Sequence, residues 1–203
     1  MNEAIPNGIW PPHEILYLEA MLFCTKTAMI AAEEMRAALD AGTRYDPDSK
    51  EWQGCAQVIV NGAQTIALQA AALSRYCWPV RGKEPHAARA TRLRGGLGVS
   101  DASALKNRDL RNHLEHFDER LDEFCQGLRA GVILPTYVGP LRDEEGLPIL
   151  LFRAYYTDVA VFEVFGNRYS IQPLLDEIHV LHGKLGACVR SGGRLPYTSG
   201  SDL

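Results

Sequence analysis

From Pro11-Pro12 onward, Ile15, Leu18, Leu22, Met29 and Met35 stand among alanines and glutamates at helical spacing. Proline suits the first turn of a helix, where its missing N–H is not needed, and Gly42 closes the run. The pattern predicts a first helix of about 28 residues, about 42 Å long. Asp46-Pro47-Asp48-Ser49 then supplies a turn and a cap. A second long helix carries Trp52, Val58, Ile59, Ala63, Ile66, Leu68, Ala70 and Leu73 and stops at Pro79. Its small residues suit close packing, whereas Gly54 and Gly62 weaken it locally. Pro79 to Ser100 is irregular, with one short helix between Pro85 and Arg94. Asp101 or Ser103 caps a third strong helix that runs to about Gln126, with Gly127 as its stop.

After Gly131 the pattern changes. Pro135, Gly139, Pro140, Gly146 and Pro148 mark a loop. Ile149 to Tyr156 and Val159 to Phe165 are β-branched and aromatic around Thr157-Asp158, as in a β-hairpin. Gly166-Asn167 turns the chain, Pro173 opens a last helix through Leu185, and a loose polar tail begins near Arg190. Two long helices joined by a short turn should pack antiparallel, and a lone hairpin must rest on them or on a partner. The expected fold is therefore mainly α: an antiparallel helix bundle with a C-terminal β-hairpin and one further helix. The expected divisions are 1–135 for the bundle, 136–190 for the hairpin and helix, and 191–203 for the tail.

Composition narrows the class. A chain of 203 residues can bury a core without staples, and 46% hydrophobic with 23% charged residues is ordinary for a globular protein. The net charge of -4 argues against a general nucleic-acid coat. Cys24, Cys55, Cys77, Cys125 and Cys188 are scattered and never form C-x-x-C, so neither a disulfide framework nor a zinc ribbon is expected. No run reads as a signal peptide or a membrane helix, and a cytoplasmic location is expected.

The third helix holds the one constellation with chemistry in it. Leu110, Leu114, Phe117, Leu121, Phe124 and Leu128 form a narrow apolar stripe. Arg111, Asn112, Glu115 and His116 fan over the opposite face, and His113 sits at the stripe's edge. Arginine offers a permanent cation and a forked donor set to phosphate oxygens. Histidine is the side chain suited to moving a proton near neutral pH. RNA supplies its own nucleophile, the 2′-OH, so such a pair needs no metal and no cofactor.

Arg111-Asn112-His113-Leu114-Glu115-His116-Phe117, an Arg-x4-His with Asn after the Arg and an aromatic after the His, resembles the signature of the HEPN superfamily. That family is a helical bundle with its motif on a late helix, and the resemblance covers roughly residues 10 to 130. It implies a metal-independent endoribonuclease in a toxin–antitoxin, phage-defence or RNA-processing setting. It also implies a homodimer in which two motifs share one cleft, and an antitoxin or other protein partner. By position, Arg111 would stabilise the scissile phosphate, His116 would be the general base or acid, and Asn112 would position the phosphate or the motif. Glu115 fills a variable position, and its inclusion in the site is an inference from the helix face.

Charge around the motif points both ways. Nine cations against three acidic residues lie between Arg75 and Arg111, a local excess of six. Arg92, Arg94, Lys106 and Arg108 in that stretch are candidate RNA contacts. On the motif helix itself Glu115, Asp118, Glu119, Asp122 and Glu123 would repel a polyanion. They motivate the rival expectation, a non-catalytic helical interaction module serving as a subunit or dimerisation partner. His113-x-x-His116 and His179-x-x-His182 have a spacing that two imidazoles of a metal site can use, but chance explains it better and no metal is expected. Tyr155, Tyr156, Phe162, Phe165 and Tyr169 load the hairpin with aromatics that either pack on the bundle or meet a partner.

Overall fold

The computed structural model describes residues 8–127, 131–141 and 149–197. Among them are α1 (Glu14–Gly42), α2 (Lys50–Cys77), α3 (His86–Leu97), α4 (Arg108–Glu115), α5 (Phe117–Gly127) and α6 (Ile171–Arg190). The strands are β1 (Val132–Gly139), β2 (Ile149–Tyr156), β3 (Val161–Val164) and β4 (Asn167–Ser170). The chain is thus mainly helical with a small mixed sheet.

The first two helices form where the apolar pattern predicts them, and they pack against each other. Ser49 caps α2, its Oγ accepting from the Trp52 N–H at 3.1 Å. Gly62 has a packing role: a Cβ there would lie 2.9 Å from the Met35 Cβ and 3.0 Å from the Ala31 carbonyl oxygen. The glycine that weakens α2 in isolation is what lets α1 approach it.

By length and composition α1 does meet the test for a membrane-spanning helix, with a mean hydropathy of 1.5 across its most apolar stretch. The alanine-rich sequence hides this from a count of large apolar residues. In the fold 33% of that stretch is buried, along one face of α1. Leu18, Met21 and Ala28 are fully buried, and its neighbours are α2 and α6.

The third helix departs from expectation. It is two helices that meet at His116, which leaves the helical region at φ -108°, ψ 45°. It also starts later, at Arg108, where the Asn107 Oδ1 accepts from the Leu110 N–H at 2.9 Å. Ser103 instead caps a single 3-10 turn over Ala104–Lys106. Before the break Leu110 and Leu114 are buried in the core, and after it Phe117 and Phe124 meet Phe165 at ring separations of 4.7 and 5.6 Å. Leu128, the last residue of the expected stripe, lies outside the described residues.

The β2–β3 hairpin forms as expected, Tyr156 opposite Val161. A second hairpin joins β3 to β4 through Phe165-Gly166, both at positive φ (51° and 75°) as a tight two-residue turn requires. The stretch around Pro135, expected as loop, is strand β1, parallel to β2 in the order β1-β2-β3-β4. Proline is tolerated there because β1 is an edge strand. Gly146 and Pro148 of the expected loop lie outside the described residues.

The boundary expected at residue 135 falls inside β1, and α6 is part of the bundle rather than an appendage. It begins at Ile171, with Pro173 in its first turn, and continues past Leu185 to Arg190. Ile178, Leu181 and Leu185 share one core with Leu18, Ile59, Phe162 and Tyr169. The expected tail is docked as far as it is described. The Leu195 N–H donates to the Glu14 Oε2 at 3.0 Å, and the Arg92 guanidinium donates to the Leu195 and Pro196 carbonyls at 3.0 and 2.8 Å. Arg92 also pairs with Glu14 at 2.7 Å, with side-chain exposures of only 11% and 4%. Every oxygen of this buried carboxylate has a donor, which offsets its desolvation.

Arg92→Ala should leave that carboxylate buried and unpaired, lowering stability by about 3 kcal/mol or more in denaturant unfolding. A change under about 1 kcal/mol would mean that the C-terminal segment is not held as described.

Candidate functional site

The motif helix α4 lies against the C-terminal end of α2, and Arg111 is what joins them. Its residue exposure is 3%, and its Nη1 donates to the Trp78 carbonyl at 2.8 Å, just past the end of α2. The last carbonyls of a helix lack intrahelical donors and carry the negative end of its dipole, so a guanidinium suits them. Arg89 does the same one turn earlier, donating to the Arg75 carbonyl at 3.1 Å. The Arg111 Nε is buried with no hydrogen-bond partner among the described residues.

Arg111 is therefore not on the polar face where the helical wheel sets it. The inner face of α4 comprises Leu110, Arg111 and Leu114 together. The unsatisfied end of α2 turns a nominally solvent position into a buried capping site.

Around Trp78 the basic stretch is folded into internal pairs. Asp101 Oδ1 accepts from the Trp78 Nε1–H at 3.1 Å and from Arg94 at 2.7 Å, and Lys106 stands 3.0 Å away. The Arg94 guanidinium also lies 5.9 Å from the Trp78 ring. Hydrogen bonds from Trp78 and Lys106, with the Arg94 charge in support, hold the Asp101 carboxyl below the usual carboxylate range. Of the candidate RNA contacts, Arg92 is spent on Glu14 and Arg94 on Asp101. Lys106 shares Asp101 with Arg94, Arg108 remains at the surface, and Arg81 and Lys83 are also exposed.

His116 is exposed at the α4–α5 break, its N–H donating to the Asn112 carbonyl at 3.2 Å. Its Nδ1 faces the Glu119 carboxylate at 3.3 Å, and the His116 and Glu119 side chains are 56% and 71% exposed. A proton on Nδ1 would meet that carboxylate. Asn112 is exposed one turn before it, and the Glu115 side chain lies outside what is described. The structure therefore brings Asn112 and His116 to the surface and takes Arg111 away from it.

His113 has a role that its sequence neighbours do not signal. It is half-buried and hydrogen-bonds through Nδ1 to the Tyr169 hydroxyl of β4. Burial, with Asp109 nearby, pushes the Tyr169 hydroxyl up to about 12, so it keeps its proton in this contact. This contact and the aromatic cluster of Phe117, Phe124, Phe152 and Phe165 pin the motif to the sheet. Only the aromatic loading of the hairpin hinted at it.

The two histidine pairs do not converge. His113 is engaged by Tyr169 and His182 by Thr25 at 2.9 Å, and no metal-holding group of three or more ligands occurs among the described residues. All five cysteines are free thiols, and burial pushes Cys77 up to about 12, which keeps it an unreactive thiol. A cleft of about 460 Å³ lined by Leu39, Tyr45, Pro47, Trp52 and Thr157 lies at the other end of α2, about 40 Å along the helix from Trp78. It takes no part in the motif's chemistry.

No protein-family model, no curated protein and no solved structure matches this chain.

Two outcomes are expected. Arg111→Met keeps the stem's packing but loses the charged hydrogen bond, and should lower stability by about 2 kcal/mol, against less than about 0.5 kcal/mol for Arg108→Ala. Because the Asp101 carboxyl is depressed, its stabilising effect is full above the ordinary aspartate range near pH ~4 and is lost as pH falls through the lower folded value. The Trp78 indole N–H signal in NMR, assigned with Trp78→Phe, should hold its position down to that range and move only below it.

Proposed function

We propose that this chain is a HEPN-like, metal-independent endoribonuclease of the cytoplasm, acting as a homodimer and restrained by a protein partner of the antitoxin kind. The observation that supports this best is the break at His116. It presents an imidazole to solvent with a carboxylate 3.3 Å from Nδ1, and Nε2 is the nitrogen this reading uses as the base. Cleavage then needs no outside nucleophile. Nε2 accepts the proton of a ribose 2′-OH, the 2′ oxygen attacks the adjacent phosphorus, and the bond to the 5′ oxygen breaks. The leaving oxygen takes a proton from a second acid, which the resemblance assigns to the other subunit's motif. The products are a 2′,3′-cyclic phosphate and a 5′-OH.

In this reading Arg111 works from behind the surface. It fixes α4 on the end of α2 and so sets where His116 emerges, while exposed Lys106 and Arg108 meet the phosphate backbone. Asn112 carries the carbonyl that holds the His116 N–H.

The burial of Arg111 favours a second reading. With that guanidinium inside, the acidic run Asp118, Glu119, Asp122 and Glu123 dominates the surface after His116, which suits a non-catalytic module that docks a protein rather than RNA.

Incubation of a mixed RNA pool with the full-length protein in EDTA separates the two. The wild type should cut and leave cyclic-phosphate ends. His116→Ala should lose about a hundredfold or more in rate with an unchanged melting temperature, because the ring is exposed. An inert wild type, or a variant that cuts as well as the wild type, would leave the docking module as the function.

A further inference from the structure

Along the outward side of α1, Leu16, Phe23 and Ile30 are 66%, 69% and 51% exposed. They recur every seven residues, so they fall in one row that drifts slowly around the helix. Ala20 and Thr27 stand between them, and the Thr27 hydroxyl donates to the Phe23 carbonyl at 2.9 Å. That hydroxyl is satisfied, and the row offers a partner only apolar surface. Leucine, phenylalanine and isoleucine at steps of four and three with small residues between them form the seam of a two-helix contact, here left open.

Charge selects the occupant. Glu19 and Lys26 are exposed on one flank of the seam, seven residues apart and on either side of Phe23. Glu33, the next residue on that flank, is already held by Arg36 at 3.2 Å. A two-fold axis at Phe23 sets Leu16 against Ile30 of a second helix running the other way. It also sets Glu19 of each copy beside Lys26 of the other, twice. The face is thus complementary to itself in both shape and charge, as an isologous contact requires.

We infer that α1 is a homodimer interface, antiparallel about Phe23. The inference does not depend on the RNA-cleavage reading: neither α4 nor any motif residue contributes to the seam, so this contact is distinct from the one that would bring two motifs into a single cleft. One helix per subunit is a narrow contact, so the dimer forms reversibly with concentration.

Sedimentation of the full-length protein over a concentration series tests this. The wild type should pass from monomer to dimer. Phe23→Glu, which alters an exposed position and leaves the helical signal in circular dichroism intact, should raise the dissociation constant about a hundredfold or more. Glu19→Lys and Lys26→Glu should each weaken the dimer about tenfold through like-charge contacts, and the double variant should recover it. A monomer at every concentration would overturn the proposal and leave the face to a lipid surface or another protein. A dimer indifferent to Phe23→Glu would place the interface elsewhere, and failure of the double variant to recover would rule out the antiparallel pairing.

Discussion

The hydrogen bond from Arg111 to the Trp78 carbonyl sets the geometry on which the motif depends. The end of α2 presents unpaired carbonyls and a negative dipole, and a permanent cation answers both at once. Once that guanidinium is drawn inside, Leu110 and Leu114 follow into the core, and α4 can have only one rotation about its axis. His116 then falls at the helix end, where Phe117 must turn toward the sheet to meet Phe152 and Phe165. The position of the exposed imidazole is a consequence of a buried arginine five residues earlier.

The same economy recurs across the basic stretch. Arg89 caps another carbonyl of α2, Arg94 balances Asp101, and Arg92 closes a buried carboxylate at the start of α1 with the C-terminal segment laid over both. A local excess of positive charge in a sequence is often taken as a nucleic-acid footprint. Much of this excess instead ties helix ends and chain ends together or balances Asp101, and Arg81, Lys83 and Arg108 are exposed for a polyanion to meet. The C-terminal residues contribute to the same purpose: α6 completes the core, and Tyr169 holds His113.

The long helices were legible because periodicity, proline starts and the Ser49 cap act locally and agree. The β2–β3 hairpin was legible for the same reason, its aromatic strands flanking a polar turn. Strand β1 was not, because Pro135 reads as a breaker until the strand is known to lie on an edge. The break at His116 was also hidden. Nothing in the residues on either side forbids a helix, and the rings that Phe117 meets just after the break lie 35 and more positions away. Arg111 shows the limit most clearly. A wheel sorts residues by polarity and sends an arginine to solvent, but the acceptor waiting for it is a backbone carbonyl 33 residues back.

The most direct test of that division of labour between Arg111 and His116 is NMR of the labelled full-length protein titrated with a 2′-O-methyl RNA oligonucleotide, which can bind but cannot be cleaved. Signals of His116, Lys106 and Arg108 are expected to move with added RNA, while the Arg111 Nε–H stays in place, buried against the end of α2. Movement led by Arg111, or no movement at the motif at all, would contradict the assignment.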